Sequence, residues 1–321
     1  MVISRLDWMA RLDTERVEFA DCATEVRPAR ARPHVPRDPL IGRLICERYR
    51  VLARIGQGNA GAVYLAEQVG LRRRVAIKVM LPQLIAAEEA VARFRREARV
   101  STLARNEHIV DVTELGRLPE GALFLVMEYL GTLDVARLVA AEGALCVPRA
   151  AEIGLQICSA LDAVHRAGVV HRDLKPEHVF LIERSNTADF VKVVDFGICK
   201  FTSSGSLTGA GIALGTPRFM APEQLEARPD VDARADLYAL GGILFFMLTA
   251  KCPFEASSLP DLLVRVWSDP APRLCNLRAD APKSLEVLID RALQKDRNLR
   301  PTLREFREVL EQFAPTRSAQ A

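Results

Sequence analysis

The sequence predicts an α+β fold in two lobes, a small β-rich one followed by a larger helical one, with a cleft between them. Two observations carry this. Up to about residue 130, short β-type runs surround a single helical stretch, whereas beyond Leu133 the apolar periodicity becomes mainly helical. A glycine-rich turn, Gly56-Gln57-Gly58-Asn59-Ala60-Gly61, also sits between two strand-like runs. A cleft between lobes of different class is a natural ligand site.

The elements follow in order. Residues 51–55 and 61–67 read as strands flanking the glycine turn, and residues 75–80 as the next strand. Residues 86–104 read as a helix with Val91, Phe94, Ala98 and Leu103 on its inner face. Short strands are expected at 115–117 and 123–129, with Arg72, Arg73 and Arg74 as a solvated basic cluster in a strand-to-strand turn. Residues 149–167, 284–293 and 303–313 carry apolar residues at three- and four-residue intervals and read as helices. The most apolar stretch, 237–250, falls short of the roughly 18 residues a membrane span needs and reads as a buried core helix.

Residues 1–45 differ from the rest. Pro28, Pro33, Pro36 and Pro39 interrupt any helix and are interleaved with Arg27, Arg30, Arg32 and Arg37. A short amphipathic helix over 3–19 would align Leu6, Met9, Leu12 and Val17. The domain proper is expected over 46–314, with its lobes at 46–128 and 132–314, a linking hinge at 128–131 and a tail at 315–321.

Composition excludes several classes. The 321 residues are 49% hydrophobic and 26% charged, enough apolar surface for a core without disulfides or structural metal. The net charge of +3 is too small to imply a nucleic-acid or membrane partner. Seven scattered cysteines, odd in number and without a C-x-x-C pair, read as reduced thiols. No signal peptide or membrane span is legible, so a soluble cytoplasmic location is expected.

Three motifs carry chemistry. Glycines let the turn at 56–61 approach a phosphate chain closely, with backbone N–H groups facing it. Such a turn also occurs in dinucleotide folds, but there it opens a helix; here Ala62, Val63, Tyr64 and Leu65 continue as a strand. Lys78 ends the apolar run Val75-Ala76-Ile77 and, if buried, needs a carboxylate partner. Glu97, on the following helix, is the candidate. The third group is His171-Arg172-Asp173-Leu174-Lys175-Pro176-Glu177-His178, then Val193-Val194-Asp195-Phe196-Gly197, then Gly215-Thr216-Pro217-Arg218-Phe219-Met220-Ala221-Pro222-Glu223.

In order and spacing these motifs resemble the signature set of protein kinases over roughly residues 49–313. The Gly-Thr-Pro-x-x-Met-Ala-Pro-Glu-Gln run and Asp236-Leu237-Tyr238-Ala239-Leu240-Gly241 are most similar to bacterial Hanks-type Ser/Thr kinases. The resemblance implies a bilobal kinase fold that transfers the γ-phosphate of ATP to protein Ser/Thr hydroxyls. Lys78 would hold the α/β-phosphates, paired with Glu97. Asp173 would accept the proton of the acceptor hydroxyl, Lys175 would sit by the γ-phosphate, and Asp195 would bind Mg²⁺. Ile55, Gly56, Gly58, Gly61, Val63, Ala76, Met127, Glu128, Leu130 and Phe180 would line the nucleotide, with Met127 guarding the rear pocket and the Glu128 and Leu130 backbones on the adenine edge. Thr216 would help seat the acceptor. Glu223 and Arg300 would form a buried ion pair, and Asp236 would brace the catalytic loop.

One position departs from the pattern. Where the family carries a metal-ligating asparagine, this chain has His178. Mg²⁺ prefers oxygen ligands, and a protonated imidazole would repel it. Three readings stay open: a weaker or water-mediated ligand, a shifted metal preference such as towards Mn²⁺, or a pseudokinase serving as a nucleotide-binding scaffold. Gly131-Thr132-Leu133 also follows Glu128 sooner than in the bacterial relatives. Regulation is expected at the hydroxyls Thr202, Ser203, Ser204, Ser206 and Thr208. Self-association would allow autophosphorylation of the 198–215 loop, with Arg172 and Arg93, Arg95 or Arg96 gathering the phosphate.

Overall fold

Alternating apolar residues give the first sheet two buried faces. The computed structural model describes residues 38–58, 60–184, 187–196 and 216–315. Its first sheet joins β1 (Leu44–Ile45), β2 (Tyr49–Gln57), β3 (Gly61–Gln68), β4 (Arg73–Met80), β5 (Val112–Arg117) and β6 (Leu123–Glu128) in the antiparallel order β1-β2-β3-β4-β6-β5. Side chains alternate across a strand with period two. In β4, Val75, Ile77 and Val79 therefore join Tyr64, Ala66, Phe124 and Val126 on one face. Ala76 and Met80 join Leu123, Leu125 and Met127 on the other, against Phe94 and Ala98 of helix α1 (Glu88–Leu103). Lys78 shares the α1-facing side by the same alternation.

The second lobe is helical around one small hairpin. Helices α2 (Val135–Glu142) and α3 (Val147–Arg166) precede the hairpin β7 (Val179–Arg184) and β8 (Thr187–Val193). Helices α4 (Pro222–Leu225), α5 (Arg234–Thr249), α6 (Leu259–Ser268), α7 (Lys283–Ala292) and α8 (Leu303–Leu310) complete it. Helix α5, read from sequence as a core helix, is buried on nearly every side and has the all-round apolar character that position demands. It lies against α7 so closely that a Cβ on Gly241 would come within 2.4 Å of the Ala292 Cβ.

Several details differ from the sequence expectation. Arg73 and Arg74 belong to β4, paired with Gln68 and Glu67 of β3, so the turn is shorter than expected. Leu103 is 64% exposed, because the buried face of α1 runs through Ala90, Phe94, Glu97 and Ala98 at four- and three-residue steps. Helix α2 is too short for a clear periodic signal, and its limits come from Asp134, whose side chain accepts from the Arg137 N–H, and from Gly143 at φ 77°. Strand β1 lies within the stretch read as the N-terminal extension. The helix expected over 3–19, the hydroxyl-rich loop and most of the tail fall outside the described residues. Among the described residues, no helix is long and apolar enough to cross a membrane.

Candidate active site

Lys78 is where strand alternation meets helix periodicity. Its Nζ lies 2.7 Å from Glu97 Oε1 and 2.7 Å from Asp195 Oδ1. Burial alone would lower the lysine, but the two carboxylates together hold it above the usual lysine range. Burial pushes Glu97 up, partly offset by Lys78. Asp195 would also be raised by burial, yet the Lys78 ammonium outweighs this and keeps it ionised. Asp195 itself sits at φ 55°, a left-handed conformation uncommon for a non-glycine residue, and this backbone turn belongs to the arrangement that meets Lys78.

The loop carrying Asp173 is braced from beneath. Asp236, in the first turn of α5, accepts the backbone N–H groups of His171 and Arg172 at 2.9 Å each. His165 lies 2.7 Å from the same carboxylate. Gln224 donates to the Arg172 carbonyl at 2.7 Å, on a residue whose φ of 63° needs such support. Glu223 receives Arg300 in a two-bond pair at 2.6 and 2.8 Å. Lys175 Nζ stands 3.6 Å from Asp173 Oδ2.

His178 occupies the floor between the two aspartates. Its Nδ1 is 2.8 Å from the Asp173 carbonyl, and its Nε2 is 3.8 Å from Asp195 Oδ2. Burial pushes the imidazole down to about 4, against the pull of both carboxylates. Burial thus favours the neutral imidazole over the repulsive charged form considered from sequence.

The apolar candidates converge. Val63, Ala76, Met127, Leu130 and Phe180 belong to one cluster that also holds Val194, so residues from both lobes meet there. Ile55 lies outside that cluster and is 40% exposed. Gly56 falls within β2, opposite Val63, while Gly58 donates to the Gly61 carbonyl at 2.8 Å and closes the turn. At Gly61 a Cβ would meet the Val79 carbonyl oxygen at 2.5 Å, so only glycine lets β3 lie this close to β4. The Glu128 side chain accepts from Lys192 Nζ at 2.7 Å and from the Asp111 N–H at 2.8 Å.

Sequence reasoning missed Lys192, His165 and Gln224. Gln224 closes a quoted motif without having been given a role, and nothing local to Lys192 or His165 names a partner 64 or 71 residues away. Gly197 and the loop hydroxyls lie outside the described residues. The 3₁₀ turn Thr216–Phe219 begins at the residue expected to seat the acceptor. Among the described residues, no group of three or more His, Cys, Asp or Glu side chains could hold a metal ion.

The comparisons agree with this geometry. The family model described as "Protein kinase domain" matches residues 49–312. The chain is 40% identical to serine/threonine-protein kinase pkn3 of Myxococcus xanthus over 84% of its own length and 50% of the relative's. It is 34% identical to serine/threonine-protein kinase PrkC of Bacillus subtilis over 80% of its length and 39% of the relative's. The chain thus spans half or less of these curated relatives. Among solved structures, a cysteine-to-alanine mutant of the PknI kinase domain of Mycobacterium tuberculosis superposes with a TM-score of 0.65 at 28% identity, covering 85% of this chain and 98% of that one. With its bilobal fold, its Lys78–Glu97–Asp195 constellation and this match, the chain belongs to the protein kinase domain family, among homologues of the bacterial Hanks-type Ser/Thr kinases.

Proposed function

We propose that the chain transfers the γ-phosphate of ATP to serine or threonine hydroxyls of a protein substrate. The observation that carries this reading is Lys78 held 2.7 Å from Glu97 and 2.7 Å from Asp195 at once, a cation fixed between lobes where a phosphate chain would enter. Relatives named as kinases favour it over the scaffold alternative.

Each residue has a task in the transfer. Asp173 accepts the proton of the acceptor hydroxyl as its oxygen bonds to the γ-phosphorus and the bond to the leaving ADP oxygen breaks. Lys78 balances charge on the α/β-phosphates, and Glu97 holds Lys78 in place. Lys175, beside Asp173, faces the phosphoryl group as it moves. Val63, Ala76, Met127, Leu130 and Phe180 enclose the adenine, with the Glu128 and Leu130 backbones on its polar edge. Ile55, Gly56, Gly58 and Gly61 cover the phosphates. Asp195 offers hard carboxylate oxygens suited to Mg²⁺, which when bound neutralises phosphate charge. A second copy of the chain would serve as acceptor for autophosphorylation of residues 198–215.

The test is radiolabelled phosphate transfer from ATP to a generic protein substrate, by the parent chain and by Asp173→Ala. The variant is expected to lose roughly 10²–10⁴-fold in rate, the worth of a positioned general base. It should keep its thermal stabilisation by ATP. Equal rates in the two proteins would overturn the assignment.

A further inference from the structure

The strongest unassigned feature is the pair formed by His178 and Asp195. The Asp173 carbonyl can only accept a hydrogen bond, so His178 Nδ1, 2.8 Å away, carries the ring proton. Nε2 is then left with its lone pair, 3.8 Å from Asp195 Oδ2. That separation is too long for a hydrogen bond. Two metal–ligand bonds of about 2.1 Å each can bridge it. Asp195 Oδ1 is engaged by Lys78, which leaves Oδ2 as the oxygen facing the imidazole. A ring N–H tied to a backbone carbonyl is also how metal-ligating histidines are oriented.

The donor chemistry does not suit Mg²⁺ at this position. Mg²⁺ favours an all-oxygen shell, whereas imidazole suits first-row transition ions, and carboxylate and phosphate oxygens are compatible with Mn²⁺. We propose that His178 Nε2 and Asp195 Oδ2 form a mixed nitrogen–oxygen seat that selects a first-row transition cation over Mg²⁺, an inference that rests on the kinase reading only for its nucleotide. Water and phosphate oxygens complete the shell. His178 thereby sets the metal specificity of the site.

Pulsed electron paramagnetic resonance of the full chain with Mn²⁺ and β,γ-methylene ATP tests this directly. Protein carrying ¹⁵N-labelled histidine is expected to show a nitrogen coupling of a directly bonded imidazole, which His178→Asn abolishes. The ratio of Mn²⁺ to Mg²⁺ affinity, titrated with the same analogue, should fall by roughly tenfold or more in that variant, as ligand-shell changes commonly cost. Absence of histidine coupling in the parent chain overturns the proposal even if the variant does not fold. So does a coupling that persists in the variant, or an unchanged affinity ratio. Phosphate transfer supported by Mg²⁺ without any histidine coupling would sink the seat and leave the kinase reading standing. Coupling without transfer under either metal would do the reverse.

Discussion

Arg300 and Glu223 lie 77 residues apart in sequence and meet in a two-bond ion pair, with the Arg300 side chain fully shielded from solvent. Arg300 also donates to the carbonyls of Gln294 and Arg234. Removing one partner leaves the other charge buried, which costs about 3–5 kcal/mol. Glu223→Ala is therefore expected to lose that much stability in urea unfolding. A loss below about 1 kcal/mol, the range of an exposed pair, would show that the site relaxes or admits water.

The tight approach of α5 and α7 gives a second prediction. Gly241→Ala would gain helix propensity of about 1 kcal/mol, but its Cβ would meet the Ala292 Cβ at 2.4 Å. Both groups sit on packed helices, so neither yields cheaply, and overpacking of this kind costs about 1–3 kcal/mol. A net decrease in the urea midpoint is expected. Pairing it with Ala292→Gly should recover much of the loss.

Lys78→Met removes the cation that two carboxylates share. Phosphate transfer is expected to fall by roughly 10²-fold or more, the effect of deleting one preorganised charge-stabilising donor. Stability should also fall, because Glu97 and Asp195 then face each other without compensation. Transfer assays and calorimetry on the same variant check both outcomes.

The cap of α8 predicts a pH dependence. Glu305 accepts the Thr302 backbone N–H at 2.7 Å and pairs with Arg291 at 2.8 Å, which together hold its carboxyl down to about 2 from 4.5. A folded-state value below the unfolded one means stability present above pH 4.5 and lost as pH falls towards about 2. Since the group is partly exposed, roughly 1 kcal/mol is expected, the size of a helix cap. Glu305→Gln should be less stable than the parent at pH 7 and converge with it at low pH. Parallel unfolding curves across that window provide the check.

The site was more legible than its supports. Asp173 and Lys175 stand in one contiguous motif and Asp195 in another, so local sequence names them as candidates. Glu97 could be named because α1 follows Lys78 directly and its buried face passes through that position. Lys192 has no such trace: nothing in the residues around it shows that it is buried in β8, and only the fold shows that its ammonium reaches Glu128. His165 likewise reads as an ordinary residue in the last turn of α3 until Asp236 arrives from α5. The β7–β8 hairpin was missed because the residues joining its strands carry no Asn-Gly or Gly-rich turn signal. Helix α6 was missed too, with Pro260 near its start and Val264 and Trp267 on its exposed side.

The link between α1 and β5 is attached to the second lobe as well as to the first. Val110 donates to the Val193 carbonyl at 3.0 Å, and Val193 donates to the His108 carbonyl at 2.8 Å. Lys192 adds bonds to the Ile109 carbonyl and the Glu128 carboxylate. Besides the Lys78–Asp195 pair, the lobes are thus joined covalently at 128–131 and by hydrogen bonds at 108–110. A rotation of one lobe against the other would have to pivot on these bonds, and the contact it would open is the Lys78–Asp195 pair.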